Sequence, residues 1–257
     1  MTTIVIVEGN TPEVIATGDS AAAGFVRTFL ALAPTVELRV VAPYAGALPE
    51  SAFDGADGAV FTGSGVAWST EAPEIAPQVG AIEAAFDAEL PVWGSCNGMQ
   101  LAAVVLGGTV DASPHGLEVG LAREVTINDE GAGHPMMANR DDVFAVPTVH
   151  RDEVQRVPDG AVVLAGNAHC PVQAMVYERG GISFWGTQYH PELTTADVAA
   201  YIRAPGIFTE KIALVDDLTV AHHDESAATR LGGNLEGLRV ESRARELVNW
   251  LKHIEAR

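Results

Sequence analysis

The stretch PVWGSCNGMQLAAVVLGG, residues 91–108, places a cysteine in a very short turn between an apolar strand pattern and an apolar helix pattern. Residues 91–93 are typical of a buried strand, and residues 101–106 are typical of a helix. A side chain at such a turn is held outward on strained backbone, and small neighbours let the chain fold around it. The N–H groups and positive dipole end of the following helix favour a thiolate over a thiol. The stretch therefore indicates that Cys96 is a nucleophile.

Outward from this turn, strand and helix signals alternate through the first half of the chain. Apolar and β-branched runs predict strands at 3–7, 36–41, 59–62 and 91–93. Apolar residues at helical spacing predict helices at 18–33 and 76–88. Strands separated by helices imply crossover connections in a parallel sheet that is covered on both faces. We therefore expect an α/β fold with three layers and a doubly wound, mostly parallel central sheet, whose functional groups gather where its strands end.

The pattern changes after residue 108. Short apolar runs predict strands at 121–127, 143–149, 161–165, 173–178 and 182–185, the last two forming a hairpin around ERGG. From residue 194 onward the pattern is helical, at 196–202, 220–231 and 241–254. Because no linker composition interrupts the chain, we expect a domain over 1–203 with a helical extension, 204–257, packed on it. The apolar stripe of the last helix is typical of core packing, and a homodimer or partner interface is the alternative; its members are Leu247, Val248, Leu251 and Ile254.

Charge and cysteine content exclude several classes of function. The 257 residues include 15 Lys or Arg and 34 Asp or Glu, which gives a formal net charge of −19. Nucleic acids and anionic membranes both require a basic surface, so neither is an expected partner. The first residues, MTTIVIVEGN, lack a basic segment, and their apolar run is too short for a signal peptide or a membrane span. Two cysteines do not make a disulfide framework, and the expected location is the reducing cytoplasm.

A nucleophilic cysteine needs a base, and the base needs an orienting group. The segment WGTQYHPEL, residues 185–193, offers both, because His190 and Glu192 are two positions apart. In an extended segment such residues point to the same side, and Pro191 between them disfavours a helix. The carboxylate would then hold one imidazole nitrogen protonated and leave the other free to accept the thiol proton.

These motifs resemble those of the class I, triad-type glutamine amidotransferases. GSCNGMQ is similar to the family's G-x-C-x-G-x-Q nucleophile elbow, and YHPE is similar to its H-P-E signature. The segments GHPMM and VHRDEVQRVPDGAVVLAGNAHCPVQAM resemble the amidotransferase domain of GMP synthetases and its stand-alone relatives. The resemblance covers about residues 2–203 and implies a flavodoxin-like fold and no cofactor or metal.

The resemblance implies a reaction and a role for each matching residue. Cys96 would attack the γ-carboxamide of glutamine or of another small γ-glutamyl compound. His190, oriented by Glu192, would protonate the leaving nitrogen, and water would then hydrolyse the γ-glutamyl thioester. The oxyanion would be bound by backbone amides of Asn97 and of Ser64 or Gly65. The remaining matches imply a substrate pocket that contains Gly63, Gln100, His150, Arg151 and Asp152.

The sequence departs from the family pattern at three places. Asn97 stands where a bulky or apolar residue is common, and the loop after the third strand reads GSG where many relatives have GGP. No segment resembles the ATP loop SGGxDS of a synthetase, so the ammonia would pass to a separate synthetase subunit or be released.

Three functions therefore remain open. The first is a glutaminase that feeds ammonia to a partner. The second is a γ-glutamyl hydrolase or peptidase that acts on γ-glutamyl amines or peptides. The third is a catalytically weak regulatory subunit.

Other candidate residues have simpler interpretations. Cys170 precedes an apolar strand pattern and is expected to be a core thiol. The loop TGSGVAW, residues 62–68, lacks the lysine and the spacing of a phosphate-binding loop. Residues 222–225, HHDE, include metal-ligand types, but adjacent helical residues point in different directions, so a polar helix start is expected there.

Overall fold

Residues 1–257 are all described by the computed structural model. The strands are β1 Thr3–Val7, β2 Glu37–Val41, β3 Gly58–Phe61, β4 Pro91–Ser95, β5 Thr109–Ala112, β6 Glu118–Ile127, β7 Val143–His150, β8 Asp152–Arg156, β9 Val162–Gly166, β10 Ala174–Arg179 and β11 Ile182–Thr187. The helices are α1 Pro12–Ala16, α2 Ala21–Leu32, α3 Ala76–Asp87, α4 Asn97–Val105, α5 Asp129–Gly133, α6 Thr195–Arg203, α7 Val215–Val220, α8 Glu225–Arg230, α9 Leu235–Leu238, α10 Val240–Arg243 and α11 Arg245–Glu255. Short 3₁₀ segments lie at Pro43–Ala45, Glu50–Phe53, Pro73–Ile75, Pro135–Met137 and Ile207–Leu214.

A nine-stranded sheet forms the middle of the molecule, in the order β2-β1-β3-β4-β11-β10-β9-β6-β7. Its first five strands are parallel neighbours, and the remaining four join through antiparallel pairs. β5 and β8 form a separate two-stranded sheet that the sequence patterns did not predict. The expected three-layer α/β fold is confirmed, and its parallel part brings the ends of β1, β3, β4 and β11 to one edge.

Each face of the sheet buries its own apolar cluster. Successive residues of β1 alternate between them, since Ile4 and Ile6 pack on one side while Val5 and Val7 pack on the other. Helices α2 and α11 cover the first face with Phe29 and Trp250, among others. Helices α3 and α4 cover the second face.

The predicted hairpin is confirmed, because β10 and β11 are antiparallel and Arg179 pairs with Ile182. Gly180 and Gly181 form its turn at φ 61° and 87°, a conformation that glycine adopts without a Cβ clash.

The predicted continuous helices at 220–231 and 241–254 are wrong. The first is interrupted between α7 and α8, because the Asp224 side chain caps α8 by accepting a hydrogen bond from the Ala227 amide. The HHDE segment is therefore a polar helix start, as expected, and it forms no metal-ligand cluster. The second is divided at Ala244, between α10 and α11.

The helices after residue 203 pack on the rest of the chain in two places. Helix α11 contributes Leu247, Trp250 and Ile254 to the core beneath α2. Helices α7 and α8 join α6 in a third apolar cluster against β6 and β7. None of the helices combines the length and the apolar character that crossing a bilayer requires.

Candidate active site

Cys96 lies between β4 and α4 on strained backbone. Its φ of 50° is in the left-handed region, where few residues other than glycine are found. Two backbone hydrogen bonds stabilise this conformation. The Cys96 amide donates to the Thr187 carbonyl at 2.7 Å, and the Cys96 carbonyl accepts from the Gln100 amide at 2.9 Å. The residue is 8% exposed, and Sγ lies 4.0 Å from the Val149 carbonyl at the end of β7.

The two glycines that flank the cysteine allow this sharp turn. A Cβ on Gly94 would lie 2.7 Å from the backbone carbon of Gly98. A Cβ on Gly98 would lie 2.1 Å from the Phe61 carbonyl oxygen. Both distances are far inside van der Waals contact, so the G-x-C-x-G spacing follows from the packing of α4 on β3 and β4.

His190 follows β11, the strand next to β4, and this adjacency brings it to the cysteine. A Cβ built on Gly63 would lie 2.8 Å from His190 Cε1 and 3.8 Å from Cys96 Cβ, so one glycine borders both groups. His190 Nδ1 lies 2.7 Å from Glu192 Oε1. Its other ring nitrogen, Nε2, is buried and has no hydrogen-bond partner within the chain.

Glu192 is held in turn by a hydroxyl on β4. Its second oxygen, Oε2, accepts a 3.1 Å hydrogen bond from Ser95 Oγ, which itself accepts from Trp93 Nε1 at 3.0 Å. The Glu192 carbonyl accepts from Thr28 Oγ1 of α2 at 3.1 Å. The carboxylate is 2% exposed, so its charge acts on the imidazole through protein and not through water.

These surroundings set the charge of the imidazole. Burial alone would lower the pKa of His190, but the Glu192 carboxylate and the Cys96 side chain outweigh it and raise the pKa to about 10. Beside a Cys96 thiolate, the His190 ring is therefore protonated on both nitrogens and positively charged at neutral pH.

The glycine-rich loop after β3 is held by Asn10, which follows β1. Asn10 Oδ1 accepts the Gly65 amide at 2.6 Å, and Ser64 Oγ donates to the Gly9 carbonyl at 2.7 Å. The Ser64 amide has no acceptor within the chain. Of the two loop amides predicted to bind the oxyanion, the Ser64 amide is thus free to donate a hydrogen bond, whereas the Gly65 amide already donates to Asn10.

Gly63 lies in the loop after β3, and the other predicted pocket residues, Gln100 on α4 and the segment 150–152, bond mainly to one another. Gln100 Nε2 donates to the Asp152 carbonyl at 2.7 Å and to Gln188 Oε1 at 3.1 Å. His150 contacts Glu118 Oε2 through Nε2 at 2.7 Å and the Asp152 carbonyl through Nδ1 at 3.1 Å. The more exposed Arg151 pairs with the Asp152 carboxylate at 2.7 Å. The side chains of Gln100 and His150 are thus committed to shaping the loop.

Several side chains of the site were missed by the sequence patterns, namely Asn10, Ser95, Glu118 and Gln188. For Asn10, a signal existed, because a polar residue in the loop that follows a parallel strand lies at the functional edge of the sheet, and Asn10 is three residues beyond the end of β1. For Ser95 the signal was its place inside the elbow motif. Glu118 carries no local signal, because its partners His150, Asn167 and Gln173 are distant in sequence.

Cys170 is a core thiol, as expected. It is fully buried, and burial together with the negative charge of Glu153 raises its pKa. Both cysteines are free, and Cys96 is the one that borders the imidazole.

Comparison with known proteins agrees with this geometry. The family model described as glutamine amidotransferase class-I matches residues 14–203. A γ-glutamyl-L-1-hydroxyisopropylamide hydrolase from a Pseudomonas species is 34% identical over 228 residues, which cover 80% of this chain and 74% of the relative. The GMP synthase of Exiguobacterium sibiricum is 40% identical over 108 residues, and the aligned segment spans only 20% of its length.

The fold also matches a solved structure over nearly its whole length. A glutamine amidotransferase from Thermotoga maritima superposes with a TM-score of 0.67 at 19% identity, covering 98% of this chain and 97% of that one. The family match, the Pseudomonas relative and the fold lead to one assignment: the chain belongs to the class I glutamine amidotransferase family and is a cysteine-dependent amidohydrolase.

Proposed function

We propose that Cys96, His190 and Glu192 form the catalytic triad and hydrolyse the γ-carboxamide of a glutamyl substrate. The observation that carries the proposal is the buried Nε2 of His190, which lacks a partner in the chain and borders a cysteine on strained backbone. A buried polar atom without a partner is costly, and the adjacent Cys96 sulfur is the group that would pair with it.

The reaction proceeds in two halves. The proton of Cys96 already lies on His190 Nε2, so the Cys96 thiolate attacks the γ-carbonyl carbon and the carbonyl becomes an oxyanion. The tetrahedral species collapses when the carbon–nitrogen bond breaks, and the imidazolium gives its proton to the leaving nitrogen. Water, deprotonated by the neutral imidazole, then attacks the thioester carbon, which releases glutamate and restores the thiolate and the protonated imidazole.

The oxyanion would be bound by the backbone amides of Asn97 and Ser64. Asn97 is the first residue of α4, where an amide has no partner inside the helix. Each such donor contributes roughly 2.7–4 kcal/mol of transition-state stabilisation. The Gly65 amide is the weaker choice, because Asn10 occupies it.

The glutamyl end of the substrate would lie between Gly63 and the loop at 150–152. The charged pair of Arg151 and Asp152 supplies both signs needed for the α-amino and α-carboxylate groups of a glutamyl substrate. Gln100 and His150 would act on this loop through the Asp152 carbonyl that both contact.

Glutamine is the first candidate substrate, and its ammonia would be released or passed to a synthetase subunit. A substituted γ-glutamyl amide is the second candidate. The breadth of similarity favours it, since the Pseudomonas hydrolase aligns over 80% of this chain whereas the GMP synthase aligns over 42%. A reducing compartment such as the cytoplasm fits either substrate, because the mechanism needs a free thiol.

To test the proposal, the purified protein is incubated separately with glutamine, γ-glutamyl isopropylamide and γ-glutamyl ethanolamide. The release of ammonia or amine is measured for each substrate. Faster turnover of glutamine identifies a glutaminase, and faster turnover of the amides identifies a γ-glutamyl amide hydrolase. Failure to cleave any of them, together with no labelling of Cys96 by a glutamine-like electrophile, would contradict the proposal and favour a regulatory subunit.

A further inference from the structure

The two residues that flank His190 are each hydrogen-bonded to the C-terminal helices. Arg243, the last residue of α10, donates from Nη1 to the Pro191 carbonyl at 2.6 Å. Tyr189 donates from its hydroxyl to Glu246 Oε1 of α11 at 2.7 Å. Both partners lie beyond residue 203, where the family match ends.

The contact of Arg243 is a buried one. The residue is 6% exposed, and burial lowers the pKa of its guanidinium while the nearby carboxylates of Glu192 and Asp197 oppose that shift. A guanidinium remains charged in a protein, so a positive charge lies behind the triad carboxylate. Its hydrogen bond fixes the peptide that joins the base to the orienting residue.

The contact of Glu246 is equally enclosed. The residue has no exposed surface, and Oε1 lies 3.3 Å from Arg140 Nε. Helix α11 is itself anchored, because Asn249 Nδ2 donates to the Met136 and Ala138 carbonyls at 2.9 Å. Tyr189 therefore bonds to a helix that is fixed in place.

We propose that the C-terminal helices hold the catalytic histidine in register with Cys96, with Arg243 and Glu246 as positioning residues that act through Pro191 and Tyr189. This inference rests on the proposed function, since it presumes that His190 is the base. Misplacing a catalytic group by about 1 Å costs on the order of 10²-fold in rate. Loss of either bond should therefore slow chemistry far more than it weakens substrate binding.

The experiment compares Arg243→Ala, Arg243→Lys and Tyr189→Phe with the matched control Arg245→Ala. Arg245 is the first residue of α11, and its side chain makes no hydrogen bond or ion pair within the chain. For each variant, kcat and KM are measured at a temperature where circular dichroism shows a folded protein. The rate of Cys96 alkylation by iodoacetamide is measured as well, with peptide mapping to separate Cys96 from buried Cys170.

We expect kcat to fall about 10- to 100-fold in Arg243→Ala and several-fold in Tyr189→Phe, with KM within about threefold. Arg243→Lys should recover part of the loss, and Arg245→Ala should match the unmodified protein.

Tyr189→Phe keeps the ring and removes only the hydroxyl, so it tests the inference even if Arg243→Ala does not fold. Unchanged kcat and alkylation rate in folded Arg243→Ala and Tyr189→Phe, or in Tyr189→Phe alone if Arg243→Ala does not fold, would overturn the inference. If the unmodified protein cleaves no substrate, the alkylation rates alone decide it, separately from the proposed function.

Discussion

Gly98 is the residue whose packing most directly shapes the nucleophile turn. Substitution Gly98→Ala would place a Cβ 2.1 Å from the Phe61 carbonyl, and α4 would have to shift away from β3. We predict a loss of about 1–3 kcal/mol in the free energy of unfolding and a large fall in kcat, measured by denaturant titration and by turnover. The matched control is Gly80→Ala in α3, where nothing lies within 4 Å of the added carbon. It should stabilise the protein by about 0.5–1 kcal/mol with no change in kcat, and similar behaviour of the two variants would contradict the packing argument.

The charge of His190 gives a prediction for pH dependence. Because Glu192 and Cys96 raise the pKa of His190 from 6.5 to about 10, the protonated ring should persist until the pH approaches 10. The stability contributed by this proton is fully present below pH 6.5 and is lost as the pH rises through 10. The alkaline limb of kcat/KM should accordingly lie near pH 10, and Glu192→Gln should move it to lower pH by removing the negative charge. A limb that does not move would show that another group controls it.

Single functional residues can be predicted from the sequence when they lie in one short continuous motif. Cys96, His190 and Glu192 could be proposed as a triad because an elbow between glycines and an H-P-E segment are each continuous in the sequence. Asn10 and Arg243 could not, because their partners at Gly65 and Pro191 are brought together only by the fold.

The loop over 62–66 is an element whose position depends on a neighbouring strand end. Substitution Asn10→Ala would release the Gly65 amide and loosen the loop that presents the Ser64 amide. We predict a fall in kcat of roughly tenfold, which is smaller than the 10²–10³ expected when an oxyanion donor is removed outright. Substitution Thr11→Ala is the control, since Thr11 only caps α1, and it should leave kcat unchanged. Equal kcat for Asn10→Ala and the unmodified protein would mean that the loop keeps its conformation without the Asn10 hydrogen bond.

Elements with strong periodicity could be predicted, and weak ones could not. The strands β1, β3 and β4 carry continuous apolar runs and were located to within a residue or two at either end. The apolar pattern does not predict β5 and β8, because these strands are only partly buried and pair with each other across a long stretch of sequence. The helix at 220–231 was predicted too long, since apolar spacing continues across the Asp224 cap.

At the scale of the whole molecule, the C-terminal helices are part of the core. Trp250 is 1% exposed and contacts Trp93 and Phe29 across the first face of the sheet. Trp250→Ala should lower the free energy of unfolding by about 3–5 kcal/mol, measured by denaturant titration. Trp68→Ala removes the same side chain from a half-buried loop, where only Tyr44 stacks on it, and it should cost clearly less. Equal losses for the two would indicate that the C-terminal helices pack only loosely. The division into 1–203 and 204–257 stays a prediction.

Mass spectrometry of acid-quenched protein can detect the γ-glutamyl thioester that we propose on Cys96. The protein is mixed with a γ-glutamyl substrate, stopped within the first turnover, and digested for peptide mapping. We expect a γ-glutamyl adduct on the peptide that contains Cys96 and none on the peptide that contains Cys170. Substrate turnover that continues in Cys96→Ala, or an adduct carried by any other side chain, would contradict this expectation.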